Sequence, residues 1–457
     1  MIKGAKFYRV IKKYLFIYVV GALLIVSCAK KEYGPANVNK IRLSWTDDPT
    51  TTMTIGWDQL DSKNSTIYYG SEDHGRNWED YQDSAKPTRE LEHLTMNTRF
   101  CDLKKLIPNE EYYFVIKDSS GVSERLWFKT APDTPAPFTC ILGGDTKSEG
   151  EAYRAGQFSN KMVSILRPLF IMFAGDFTND GITAIDWENW IRNWSQQTRT
   201  KDGQMFPMVA VNGNHENRDM MVLNKVFNAP YQNNNPEDIY FSLSFGSDFF
   251  HMISLNSMVE HGGTQKAWLE NDLKQNKDFT FKIAGYHKPF HPHTQRKGEN
   301  ENQFKHWVPL FDKYGLDISV DGDTHMTKIT YPLKMDTING FQGFIRDDKN
   351  GTMYIGEGSW GASPRPNDDD KPWTMRSGSF NQIKWLQVFP KTASEEARID
   401  IRTVITSTRD STDIAISHVE NVTPLTKDDV FAIPQGIELF DVPPYGDVIS
   451  YPFVDIK

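Results

Sequence analysis

Five short apolar runs in this chain each end in residues able to ligate a metal, and that repetition restricts its fold more than any other feature. Residues 138–142 precede Asp145, residues 169–174 precede Asp176, and residues 208–211 precede Asn214 and His215. Residues 281–284 then precede His287, and residues 318–320 precede Asp323 and His325. Short runs rich in β-branched and aromatic residues read as strands buried on both faces. In open sheets built from such strands, ligands collect at the carboxyl ends. After a single strand, Asp or Asn is ordinarily a turn residue or a helix cap. Five endings in succession, GGDT, GDFTN, NGNHE, GYHKP and DGDTH, describe a metal site instead. GNHE is the least generic of them, because it sets an amide oxygen, an imidazole and a carboxylate side by side.

Helical patterns alternate with these runs over residues 157–166, 184–197, 265–275 and 303–314. In the second of them Ile185, Trp187, Trp190, Ile191 and Trp194 offer an apolar stripe, read as core. The alternation defines an α/β sandwich over residues 138–390, closed by strands near 352–355 and 385–389, and followed by a β-rich extension over 391–457. Upstream, residues 40–130 change character to short alternating strands at 41–45, 53–57, 66–69, 111–116 and 126–130, with turn clusters between them. That pattern describes an antiparallel β-sandwich of immunoglobulin or fibronectin type, joined to the α/β sandwich by a Pro-rich linker at 131–137. It carries no catalytic cluster. Its His74 and His93 are read as surface or packing residues, and Trp45, Trp57 and Trp78 as core.

The first residues bear on compartment. Lys3, Lys6, Arg9, Lys12 and Lys13 form a basic region, residues 14–26 an apolar stretch too short to be a firm membrane span, and Ile25-Val26-Ser27-Cys28 is similar to a bacterial lipobox. The expectation is a lipoprotein signal peptide over 1–27, a lipid on Cys28 that anchors the protein to a membrane, and a polar tether over 28–39. No Asp follows Cys28, which favours the outer membrane or the periplasmic side of a Gram-negative envelope. Loss of the five basic leader residues takes the formal charge from -9 to -14. So acidic a surface argues against a nucleic-acid-binding patch. It also requires local positive charge for any anionic substrate, which bound metal would supply. Cys101 and Cys140 are too few to make a framework and are read as unpaired thiols.

The order of the five endings resembles that of the calcineurin-like metallophosphoesterases. With the sandwich before them, and its closing Phe128-Lys129-Thr130-Ala131-Pro132, the nearest likeness is to purple acid phosphatase-like proteins with an N-terminal fibronectin type III-like domain. The resemblance spans roughly residues 38 to 390. It implies an α+β multidomain chain, the β-sandwich preceding a four-layer α/β/β/α metallophosphoesterase sandwich. It further implies a hydrolase of phosphate esters, acid phosphatase-like, acting on monoesters first and diesters second through a hydroxide activated by two divalent ions. Manganese, zinc, iron, magnesium and calcium are all open for those ions. Carried over, Asp145, Asp176 and His325 hold the first ion, and Asp176, Asn214, His287 and Asp323 the second, with Asp176 bridging. His215 faces the substrate, and His291 and His293 are candidates for phosphate contact beside the plainer reading of a solvated loop.

Three positions depart from the family pattern. Purple members carry Tyr three residues after the second Asp, where this chain has Asn179, so purple colour is not expected and Asn179 is kept only as a further donor to the first ion. Others carry His two residues after the first Asp, where Lys147 stands here; protonated, it cannot ligate but offers fixed positive charge to phosphate. The usual Gly-His-x-His reads Gly322-Asp323-Thr324-His325, which shifts preference toward harder ions. The first ion is therefore expected to bind more weakly than in relatives. These departures also motivate an alternative, a degenerate fold serving as a non-catalytic metal-, glycan- or protein-binding surface lipoprotein.

Overall fold

The computed structural model describes residues 33–61 and 64–455. The basic leader, the apolar stretch and Cys28 lie outside the described residues, so the signal-peptide and lipid-anchor expectations rest on sequence alone.

The parallel strands read from the apolar runs are present and fall into two sheets. Phe138–Gly143, Phe170–Phe173 and Pro207–Ala210 lie side by side and parallel in the first. Phe250–Ser254, Phe281–Gly285, Ile318–Val320 and Met353–Gly356 run parallel in the second. Nearly every residue in these seven strands is buried, as expected of strands covered on both faces. Helices Gly150–Leu166 and Ala184–Gln197 pack with the first sheet, while Gly263–Gln275 and Glu301–Tyr314 form a separate aromatic-rich core with the second. The result is the four-layer α/β/β/α sandwich, preceded by the β-sandwich.

In Ala184–Gln197 the buried stripe is Trp187, Trp190, Ile191 and Trp194, at i, i+3, i+4 and i+7. Ile185 does not belong to it and is 59% exposed, because two residues before Trp187 is the opposite side of a helix. Helix Gly150–Leu166 begins seven residues earlier than the apolar pattern suggests, its first half being diluted by Gly150 and Gly156.

The β-sandwich is continuous with the phosphoesterase sheet. Strand Val38–Ser44 pairs parallel with Pro207–Ala210, with Leu43 opposite Pro207 and Ser44 opposite Met208. Met53–Gln59, Met96–Leu103 and Arg89–His93 follow outward. The junction is polar inside: Arg42 Nε donates to the Val226 carbonyl at 2.6 Å, and Lys40 Nζ reaches Asp58 at 2.8 Å. The opposing sheet orders Asp83–Ala85, Thr66–Gly70, Glu111–Lys117 and Leu126–Lys129. Beyond residue 390, strand Arg398–Arg409 pairs antiparallel along Asn381–Phe389, and Ile449–Tyr451 pairs with it in turn. Trp45 and Trp57 are buried, whereas Trp78 is only partly buried, lying against Tyr68 and beneath Lys117; Cys101 and Cys140 are buried free thiols.

Candidate metal centre

The parallel strands of both sheets deliver their ends to one place. Asp145, Asp176 and His325 bring ligand atoms within 4.8 Å of one another, and Asp176, His287 and Asp323 do the same, all five residues being buried. Asp176 belongs to both groups. Asn214 Oδ1 lies 3.2 Å from His287 Nε2 and so joins the second.

The backbone is bent to achieve this. Asp145, Asp176, Asp323 and His325 have φ of 66°, 57°, 67° and 58°, in the left-handed region that non-glycine residues avoid at a cost of roughly 1–3 kcal/mol each. Such strain, repeated at four candidate ligands, is characteristic of a functional site. Space is equally restricted. A Cβ on Gly358, itself at φ 87°, would lie 1.9 Å from Asp145 Oδ2. One on Gly175 would lie 2.8 Å from His287 Nδ1.

Each imidazole is held through Nδ1, with Nε2 turned toward the carboxylates. His287 Nδ1 donates to the Ala174 carbonyl at 2.7 Å, which leaves Nε2 facing Asp176 Oδ1 at 3.2 Å and Asp323 Oδ1 at 3.6 Å. His325 Nδ1 donates to the Ser363 carbonyl at 3.2 Å, with Nε2 3.5 Å from Asp145 Oδ1. Burial pushes the His325 pKa down to about 3, helped by Arg365 and Lys147, so its ring stays neutral with a lone pair available. Burial raises the pKa of Asp145 well above the carboxylate range; His287 opposes the rise, and repulsion from Asp176 and Asp323 adds to it. Against the cost of burial, Asp176 and Asp323 hold the His287 ring's pKa well above its ordinary value, positive charge that a bound cation would replace. Three crowded carboxylates and two imidazoles whose Nε2 atoms face them are a donor set that divalent cations satisfy. The residues fit the expected ions.

His215 stands at the edge of this cluster, its side chain 31% exposed. Its main-chain N–H donates to Asp176 Oδ1 at 3.0 Å, and its Nδ1 donates to the Asn179 carbonyl. Nε2 is left to accept from Lys147 Nζ at 3.0 Å and lies 3.4 Å from Asp176 Oδ2.

Other expected residues are placed differently. Asn179 orients His215 through its carbonyl, while its side-chain amide donates to Glu149 Oε1 at 3.2 Å. His291 and His293 do not offer phosphate contacts. His293 is fully buried, with Nδ1 at 2.8 Å from Glu357 Oε1 and Nε2 at 2.7 Å from Thr374 Oγ1, so neither nitrogen is spare. His291 is buried against Phe304, Phe344 and Trp373, with Nδ1 bonded to Glu299. Both pack inside the second sheet's core because their loop folds back over it.

Two supporting carboxylates were not anticipated. Glu216 holds three main-chain N–H groups at the turn of the second and third strand ends. Glu357 follows the strand Met353–Gly356 and accepts the hydroxyl of Thr324, which stands between Asp323 and His325. The signal for Glu216 was the last letter of GNHE; Glu357 follows a sixth strand end, one that offers no ligand.

The comparisons agree with this architecture. Residues 38–130 match the family described as purple acid phosphatase, N-terminal domain, and residues 140–327 match calcineurin-like phosphoesterase. The chain carries a calcineurin-like phosphoesterase domain preceded by the N-terminal domain of purple acid phosphatases. Two uncharacterized proteins of Mycobacterium tuberculosis, from strains CDC 1551 / Oshkosh and H37Rv, are each 22% identical over 387 residues, covering 73% of this chain and 71% of theirs. Among solved structures, a purple acid phosphatase from yellow lupin (Lupinus luteus) seeds superposes with a TM-score of 0.65 at 15% identity, over 84% of this chain and 74% of that one. PhoD superposes with a TM-score of 0.59 at 12% identity, over 84% and 90%. At these identities the superpositions speak for the fold.

Proposed function

We propose that this protein is an exported phosphoesterase, dependent on divalent metal, that hydrolyses phosphomonoesters in preference to diesters and is tethered to a bacterial envelope through a lipid on Cys28. The observation that carries the catalytic part is the pair of ligand groups sharing Asp176 at the converging strand ends. Asp145, Asp176 and His325 would hold one ion, and Asp176, Asn214, His287 and Asp323 the other. Two such ions supply Lewis acidity toward phosphoryl oxygens and a water acidified enough to act as nucleophile near neutral pH. Water adds across the P–O bond, and orthophosphate and an alcohol leave.

His215 is the chain's own candidate for contact with the ester. Its Nδ1 proton is committed to the Asn179 carbonyl, so Nε2 is the nitrogen that would meet a phosphoryl or leaving oxygen. Lys147 beside it supplies positive charge for the same group. With Asn179 at the usual Tyr position, no purple charge-transfer band is expected.

The test uses protein lacking the leader, supplied with manganese or zinc, and a chromogenic phosphomonoester. Turnover is expected, and Asp176→Ala and His287→Ala should abolish nearly all of it. Full activity in both variants would sink the proposed site. One ion per chain with no turnover on any ester would favour the non-catalytic reading.

A further inference from the structure

Three cationic side chains border the candidate metal centre without a carboxylate of their own. Lys147 Nζ meets the His215 ring at 3.0 Å. Lys297 Nζ contacts Asp323 Oδ1, and Arg365 Nη1 donates to the Asp323 main-chain carbonyl at 2.7 Å. Among the described residues, the only anionic side chain paired with any of the three is Asp323, itself a candidate ligand. Cations elsewhere either pair with carboxylates or, like Lys384 and Arg89, spend their donors on hydroxyl, carbonyl and amide oxygens away from the centre. Lys328 is paired with Asp321 and Glu357, Lys371 with Asp369, Arg218 with Asp180 and Lys225 with Asp219. The chain has 60 acidic residues to 51 basic ones, so counter-ions are not scarce. Three cations left without dedicated partners at one rim are a place prepared for an external anion.

The three divide by position. Lys147 and His215 flank Asp176, where the reacting phosphoryl group would lie in the proposed reaction. Lys297 and Arg365 flank Asp323, on separate loops, and both side chains are partly exposed. Arg365 is fixed at its base, its N–H donating to the His325 carbonyl at 3.0 Å and its carbonyl accepting from Ser379 Oγ at 2.7 Å. Were Asp323 to ligate an ion, its negative charge would be shared with that ion, and Lys297 would keep positive charge to offer an external anion. An ammonium and a guanidinium that both reach Asp323 suit a phosphate group, the first as a point charge and the second as a planar fork.

We propose that Lys297 and Arg365 form a second anion subsite, and that the preferred substrate is a phosphoester whose leaving group carries another phosphoryl group. This rests on the phosphoesterase reading and adds its substrate class.

The test measures binding by calorimetry on manganese-loaded protein lacking the leader, with butylphosphonate and butane-1,4-bisphosphonate as the non-hydrolysable probes. The bisphosphonate should bind about tenfold more tightly, the scale of one added charge-assisted hydrogen bond. Lys297→Met and Arg365→Met should each bring the ratio toward one, and Lys297→Arg should restore most of it. Manganese content is measured on every sample, because Lys297 contacts Asp323 and Arg365 lies against both Asp323 and His325. Hydrolysis of a simple phosphomonoester together with equal binding of the two probes would overturn the subsite and leave the phosphoesterase reading standing. So would an unchanged ratio in a fully loaded double variant. Binding of neither probe, with no ester hydrolysed, would overturn both.

Discussion

Glu216 Oε2 accepts the main-chain N–H of Asp176 at 2.9 Å, so a buried carboxylate with no place among the candidate ligands fixes the residue shared by both ligand groups. The same oxygen accepts from Gly213 at 2.8 Å, and Oε1 accepts from Phe177 at 3.0 Å. Glu216→Gln keeps one acceptor oxygen and turns an NH2 group toward N–H donors. At least one buried donor then loses its partner, at a cost of about 1–3 kcal/mol. Urea unfolding should show that loss, and metal content should fall with it. A variant with unchanged stability and metal would show that Glu216 does not hold the turn.

The two ligand groups are unequal, and metal loading should report it. Asp145, Asp176 and His325 offer three side chains, whereas Asp176, Asn214, His287 and Asp323 offer four. Manganese added to metal-free protein should bind in two steps, the tighter one lost in His287→Ala and the weaker one in His325→Ala. Loss of Asp176 should remove both. A single step that survives His287→Ala would contradict the assignment.

The strand ends were legible because each ligand follows a short apolar run, a local pattern that needs no knowledge of the rest of the chain. Asp145, Asp176, His287, Asp323 and His325 converge as that pattern implies. His291 and His293 misled for the same reason: they follow His287 closely in sequence, yet their loop turns inward to Glu299 and Glu357. Lys297, six residues past His291, carried no local signal, since its approach to Asp323 depends on that inward turn. The parallel pairing of Leu43 with Pro207 was hidden as well, because an alternating strand at a sandwich edge does not advertise a partner 164 residues away.

Beneath the ligand turn, Lys328 is buried between Asp321 and Glu357, at 2.8 and 2.9 Å. Lys328→Met would leave two carboxylates without their cation, which should cost about 3–5 kcal/mol. Lys384 lies nearby but bonds only the hydroxyls of Thr327 and Thr403, and burial pushes its pKa down to about 7. Lys384→Met should therefore cost far less, about 1 kcal/mol. Chemical denaturation of the two variants side by side checks the contrast, and equal losses would refute it.

Asp317 gives the fold a pH dependence away from the candidate centre. Burial pushes its pKa from 3.8 up to about 6; Lys282 opposes the rise by its charge and by a main-chain N–H at 2.7 Å, as does a hydrogen bond from Tyr451. The folded state therefore holds the Asp317 proton more tightly than the unfolded chain. Below about pH 4 the group is protonated in both states and costs nothing; above about pH 6 it is ionised in both, and the folded state bears the buried charge. Stability should fall as pH rises through that window, by on the order of 2–3 kcal/mol for a shift of this size. Asp317→Asn keeps an acceptor for Lys282 and has no charge to bury. Its thermal midpoint should exceed that of the unaltered protein at pH 7, and the gap should close toward pH 4. A gap that stays constant across the range would show that ionisation of Asp317 is not its source.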